Sequence, residues 1–173
     1  MIFVGYQGIG KSTLGGHSRF IDLESGSFWV NGVRDSEWYK IYAKIAMELS
    51  KQGFYVMTSS HKVVRDELLR LAKTDEFCNE KVYIVHPAIK LRSKWIAKLE
   101  ARYNDTQLEK DYKAWKNAEE QYELNIYDLI RDPFTCIILE DMQYELEDIL
   151  LNFVSQGEDT SNFSYSITRK NHN

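Results

Sequence analysis

Five short runs rich in β-branched and aromatic residues punctuate the chain: Ile2-Phe3-Val4, Phe20-Ile21-Asp22-Leu23, Phe54-Tyr55-Val56-Met57, Val82-Tyr83-Ile84-Val85 and Thr135-Cys136-Ile137-Ile138-Leu139. Their length and near-continuous apolarity predict strands buried on both faces. Between them the apolar period lengthens to that of a helix. A short first helix is predicted from about Lys11 to His17. Asp35 is placed as an N-cap for a second helix striped by Trp38, Ile41, Tyr42, Ile45 and Leu49 and closed by Gly53. Val64, Leu68 and Leu71 mark a third. After the fourth strand, which His86-Pro87 is expected to stop, Leu91, Trp95, Ile96, Leu99 and Tyr103 stripe a helix from about Ile89 to Tyr103. Asn104-Asp105-Thr106 should break it, and Thr106 with Glu109 reads as a capping box for a longer helix. That helix carries Leu108, Tyr112, Trp115, Tyr122, Ile126 and Leu129 and ends at Asp132-Pro133. Leu146, Ile149, Leu150 and Phe153 stripe the last helix, terminated by Gly157.

Strands alternating with helices argue for an α/β fold: a five-stranded parallel sheet with helices on both faces, a three-layer sandwich. One domain is expected over residues 1–157, with the helical pair at about 88–131 as an insertion and 158–173 as a polar tail. The tail is read either as disordered or as an edge hairpin around Phe163 to Ile167. Ligands of such sheets sit beyond the carboxyl ends of the strands. The polar tips then share one edge: Gly5 onward after strand one, Asp22 and Glu24 after strand two, Thr58 to His61 after strand three, His86 after strand four, and Glu140-Asp141 after strand five.

The first of these tips carries the most specific chemistry. Gly5-Tyr6-Gln7-Gly8-Ile9-Gly10-Lys11-Ser12 fits G-x-x-x-x-G-K-[ST] at every fixed position, directly after a strand. Glycines let the backbone curl until successive N–H groups converge on a polyphosphate at the positive end of the following helix. ATP would be cradled by Gly5, Gly8, Ile9, Gly10, Lys11, Ser12 and Thr13. Lys11 would reach the terminal phosphates, and Ser12 would hold Mg²⁺.

With this loop, the acidic run Phe20-Ile21-Asp22-Leu23-Glu24, and Val82 to Val85 leading into a paired-helix insertion, the chain resembles the small P-loop kinases of the adenylate kinase and shikimate kinase type. It also looks like bacteriophage-encoded nucleoside monophosphate kinase-like proteins. The resemblance implies a P-loop NTPase-type sandwich, an acidic strand end that holds Mg²⁺ or the acceptor, and lid arginines that close over the phosphates. Two features depart from the pattern. Asp22 follows Lys11 by only eleven positions, leaving room for barely two helical turns, and a long helical pair stands where an adenylate kinase has a compact arginine-rich lid.

Phosphoryl transfer asks mainly for positioning and for cations around the migrating group. Lys90, Lys94, Lys98 and Arg102 recur every fourth residue along one helical face, a pattern that a solvated face also explains. Arg102 and Arg92 are the better phosphate candidates because a planar guanidinium grips two oxygens at once. Lys11, Asp22 and Arg102 are the expected catalytic set, Ser12 and Asp22 the expected magnesium ligands, and Asp22, Glu24, Trp29, Arg34 and Arg92 the expected acceptor contacts. Trp29 or Phe28 could stack on a base or serve as a core anchor. His61 could orient a phosphate.

Composition narrows the partner class. A net charge of -4 argues against a general nucleic-acid surface, and no apolar run approaches membrane-spanning length. Cys78 and Cys136 are far apart, Cys136 within a core strand, which suits a reducing compartment; together with a strand rather than a signal sequence at the start, a cytoplasmic location is expected. A small-molecule acceptor, most plausibly a nucleotide, is the expected partner, with a homodimer left open. The leading reading is an ATP-dependent kinase for a nucleoside monophosphate or deoxynucleotide. Two others compete. Glu140-Asp141 after an apolar strand is also how P-loop ATPases present a magnesium ligand and a base for water, which would make the protein an ATPase driving a partner if strand five neighboured strand one. The third reading is a nucleotide sensor without turnover.

Overall fold

The computed structural model describes residues 1–11, 14, 19–143, 146–156 and 165–168. The fold is α/β, with five parallel strands and five helices. In chain order these are β1 (Ile2–Gly5), β2 (Phe20–Asp22), β3 (Trp29–Val30), β4 (Val33–Arg34), α1 (Trp38–Lys51), β5 (Tyr55–Ser59), α2 (Lys62–Leu71), β6 (Val82–Pro87), α3 (Arg92–Thr106), α4 (Glu109–Arg131), β7 (Thr135–Leu139), α5 (Leu146–Gln156) and β8 (Tyr165–Thr168). The main sheet runs β2-β5-β1-β6-β7-β8. Its edge strand β8 is antiparallel to β7, with Ile137 opposite Ile167, so residues 165–168 add a single edge strand where a hairpin or disorder was expected. The expected first helix falls largely on residues outside those described, as do Gly157 and most of the tail.

Two compact units share the chain: Met1–Gly5 with Lys11–Tyr83, and Tyr6–Gly10 with Ile84–Asn173. In the first unit β1 is apolar and wholly buried, as a central parallel strand must be, and pairs with β5 so that Val4 faces Thr58 and Gly5 faces Ser59. β2 flanks β5 on its other side, with Asp22 opposite Met57. The Ile2 N–H bonds to the Lys81 carbonyl (2.8 Å) on the remaining edge of β1, so both its edges are occupied. Asp35 Oδ1 accepts the Glu37 N–H (2.7 Å) at the entrance to α1. At the exit, Gly53 takes φ +92° while the Gly53 and Phe54 N–H groups bond to the Ser50 and Leu49 carbonyls, the paired closure that lets a helix stop in one residue.

The buried stripe of α1 differs from the expected one. Trp38, Tyr42, Ala43, Ala46, Met47 and Ser50 face inward, whereas Ile41 is 60% exposed and Ile45 38%. Two small alanines allow close helix packing, and they outweigh the size of the two isoleucines. Val64, Leu68 and Leu71 of α2 are buried as expected. Residues 25–34 hold a 3₁₀ turn at Ser25–Phe28 and then the ribbon β3–β4, in which Trp29 pairs with Arg34 and Val30 with Val33. Asn31 (φ 52°) and Gly32 (φ +75°) turn it, the left-handed pair that a two-residue hairpin needs.

In the second unit α3 and α4 form an antiparallel pair around Trp95, Leu99, Ala118, Tyr122, Ile126 and Leu129, all buried. Asn104-Asp105-Thr106 does not break α3, which runs on to Thr106 and stops where Gln107 turns left-handed at φ 53°. No capping box forms with Glu109. Thr106 Oγ1 instead accepts the Leu108 N–H (3.3 Å) and donates to Asp111 (2.6 Å), whose nearly buried carboxylate also meets Arg102 at 2.9 Å. Leu108 and Tyr112, expected on the apolar stripe, are 48% and 43% exposed. Pro87 closes β6 from within the strand rather than just after it. Buried Leu146, Ile149, Leu150 and Phe153 stripe α5.

Candidate functional site

The parallel pairing of β2, β5 and β1 brings their carboxyl ends to one edge of the first unit. Tyr42, fully buried on α1, ties two of those ends together: its O–H donates to the Leu23 carbonyl (2.6 Å) and its oxygen accepts the Ser59 N–H (2.9 Å). Burial first, and then the charges of Asp22 and Glu24, push the Tyr42 phenol well above its ordinary value, so it stays protonated and keeps that donor. Asp22 is half-buried at the strand end, and Glu24 is exposed just beyond it.

A set of cations acts on His61, at the amino end of α2. Arg34 sits over two indoles, its guanidinium carbon 3.9 Å from the Trp38 ring centre and 4.9 Å from that of Trp29, and it donates to the Ser25 carbonyl. Phe28 and Tyr42 continue the aromatic wall, with Phe28 5.9 Å from Trp38 and 5.5 Å from Tyr42. The His61 ring meets Trp38 edge-on at 5.8 Å. Partial desolvation, and then the positive charges of Arg34, Lys11 and Arg65, hold His61 below its ordinary value and leave it neutral near pH 7. Arg65 itself is 2% exposed and donates to the Ser60 carbonyl. Lys11, Arg34 and Arg65 thus all act on His61, while Asp22, Glu24 and Arg34 act on Tyr42.

In the second unit, the loop Tyr6–Gly10 lies against the helix pair. Gly8 and Gly10 take φ +81° and +100°, conformations that an L side chain rarely adopts. Ile9 is fully buried, so it could offer a ligand only its backbone. Tyr6 packs edge-to-face on Trp95 (6.3 Å) and Tyr122 (5.8 Å), and burial pushes its phenol up to about 12.

The sequence-predicted residues divide accordingly. Lys11, Asp22, Glu24, Trp29 and Arg34 are gathered in the first unit, and Trp29 is 55% exposed, which makes it a shelf rather than a core anchor. Gly5 ends β1. Ser12 and Thr13 lie outside the described residues. Arg92 donates to the Glu119 carbonyl (3.1 Å) and Arg102 pairs with Asp111, so both brace α3 against α4. Lys98 sits over the Trp95 ring at 4.6 Å, and Lys90 pairs with Glu140 at 2.7 Å. Asp141 Oδ1 accepts the Gln143 N–H in a local turn.

Sequence reading passed over Trp38, Tyr42 and Arg65 as functional groups. Arg65 left a trace: an arginine three residues before Leu68 and next to Val64 falls on the inner face of its helix, where a charge needs a reason. Among the described residues no group of three or more His, Cys, Asp or Glu is placed to hold a metal ion, and no helix is long and apolar enough to cross a membrane. No protein-family model, curated protein or solved structure matches this chain significantly.

Proposed function

We propose that the protein transfers the γ-phosphoryl group of ATP to a small anionic acceptor, most plausibly a nucleoside monophosphate or deoxynucleotide, on a P-loop kinase type of fold. One observation carries the reading: at the carboxyl ends of β2 and β5, Arg34 is held over the Trp38 and Trp29 rings, Phe28 packs on Trp38 and Tyr42, and Tyr42 bonds to the carbonyl of Leu23, the residue after Asp22. Cations for a phosphate, a flat aromatic surface for a base and a carboxylate for the acceptor end are the parts that such an acceptor needs.

In this reading the amides of Gly8 to Ser12 and the Lys11 ammonium hold the β- and γ-phosphates. Arg34 orients the acceptor's phosphate, and buried Arg65 adds positive charge behind it. Asp22 aligns the attacking oxygen, and Trp29 receives the base. One strand-end carboxylate, Asp22, suits a magnesium nucleotide, since this ion takes few protein donors when phosphates and waters fill its other positions; Ser12, the second donor the motif supplies, lies outside the described residues. When bound, Mg²⁺ neutralises charge on the phosphate oxygens.

The order of strands argues against the ATPase alternative. Both edges of β1 are taken, by β5 and β6, so β7 and its Glu140-Asp141 do not adjoin the strand that feeds the loop. Incubation with Mg-ATP and a panel of nucleoside monophosphates, nucleosides and hydroxy-acids tests the proposal by ADP formation. Turnover should depend on one acceptor class and fall at least a hundredfold in Lys11→Ala, which removes a charge the transition state needs. ADP released equally without acceptor, or none with any acceptor, would sink it.

A further inference from the structure

The helix pair α3–α4 was expected to work as a lid, yet its contacts with the loop are those of a fixed support. Trp95 Nε1 donates to the Gln7 carbonyl at 3.0 Å, and Gln7 Nε2 donates back across the pair to the Ala114 carbonyl and Asn117 Oδ1, both at 3.1 Å. The Tyr6 N–H bonds to the Val85 carbonyl at 2.9 Å, and the Tyr6 ring is enclosed by Trp95 and Tyr122. Trp95 and Leu99 are fully buried. A Cβ placed on Gly8 would lie 2.6 Å from Leu99 Cδ2, so loop and helix are in direct contact there. Swinging α3–α4 away would break three hydrogen bonds and wet a cluster of aromatic rings.

Peptide planarity gives this contact a chemical consequence. In a trans peptide the carbonyl of one residue and the N–H of the next point in opposite directions. An indole that pins the Gln7 carbonyl therefore also sets the direction in which the Gly8 N–H points, and left-handed Gly8 passes that orientation on toward Gly10. We propose that Trp95 and Gln7 are positioning residues: through them α3–α4 serves as a static brace that presets the direction of the phosphate-loop amides before nucleotide arrives. The inference rests on the phosphate-binding reading only for its use, since the brace itself is a property of the nucleotide-free chain.

Two variants test it. Trp95→Phe keeps most of the ring and removes the indole donor; Gln7→Leu keeps the length of a half-exposed side chain and removes the amide, so it guards against a folding defect in the first. Amide hydrogen exchange of residues 7–11, measured without nucleotide, should quicken on the order of tenfold in Trp95→Phe, the worth of its one hydrogen bond, and by about as much or more in Gln7→Leu, which loses two, while the amides of α1 and β5 keep their protection. If turnover is found, KM for Mg-ATP should rise on the order of tenfold with kcat within about threefold. Unchanged loop exchange in both variants, or quickening shared equally by α1 and β5, overturns the brace. Wild-type loop amides that Mg-ATP fails to protect would instead sink the phosphate-binding reading, leaving the nucleotide-free comparison to decide the brace alone.

Discussion

Arg34 is an arginine for reasons of shape as much as charge. A planar guanidinium can lie against Trp38 and Trp29 while its edge bonds to the Ser25 carbonyl; an ammonium cannot. With each cation–π contact worth about 0.5–2 kcal/mol, Arg34→Lys should raise KM for the acceptor on the order of tenfold and leave KM for Mg-ATP within about twofold, by steady-state kinetics with each substrate varied. His86 makes a different prediction. It is 3% exposed, its Nδ1 faces the Pro87 carbonyl at 2.9 Å, and its Nε2 meets no hydrogen-bond partner among the described residues. Burial holds its pKa below the usual 6.5. The unfolded chain then takes up a proton below about pH 6.5 that the folded chain refuses, so stability is full above that pH and falls as the medium is acidified toward the folded value. Urea unfolding at pH 7.5 and 5.5 should show this loss, and His86→Gln should reduce it. An equal loss in both proteins would remove His86 as its source.

At the scale of elements, the ribbon β3–β4 shows where sequence legibility stopped. Its strands are two residues long, too short for a period, and its only local signal is Asn31-Gly32, the dipeptide that supplies two left-handed residues to a tight turn. The ribbon sets Trp29 beside Arg34. Gly32→Ala, placing a side chain at φ +75°, costs about 1 kcal/mol and should raise the acceptor KM severalfold while leaving that of Mg-ATP unchanged; Gly26→Ala, whose Cβ would meet nothing within 4 Å, is the neutral control. The existence of α1, α2, α4 and α5 was readable because each sustains a helical stripe over three turns or comes close to it. Their buried faces were less so. On α1, Ala43 and Ala46 look featureless in sequence but permit close approach, and that turned Ile41 and Ile45 outward. Thr106 was misread because the same residue that ends one helix can sit near the start of the next.

For the whole molecule, the parallel strands and the residues at their tips were visible in the sequence, and the order of the strands was not, because order depends on which buried edges meet. That order separates two chemistries. With β1 flanked by β5 and β6, and Glu140 held by Lys90, Glu140→Gln should keep turnover within about twofold; an ATPase that relied on this carboxylate would lose a hundredfold or more. Initial rates of ADP formation decide it. Arg65 showed in the sequence only as a charge on the inner face of its helix, because the groups with which it acts on His61, Lys11 and Arg34, come from distant parts of the chain. The four tryptophans are also sorted by the fold. Trp29 and Trp38 flank Arg34 in the aromatic wall, while Trp95 and Trp115 belong to the helix pair. Intrinsic emission from this protein is therefore two signals in one spectrum, and replacing Trp95 and Trp115 with phenylalanine would leave a chain whose ultraviolet glow reports the surroundings of Arg34 alone.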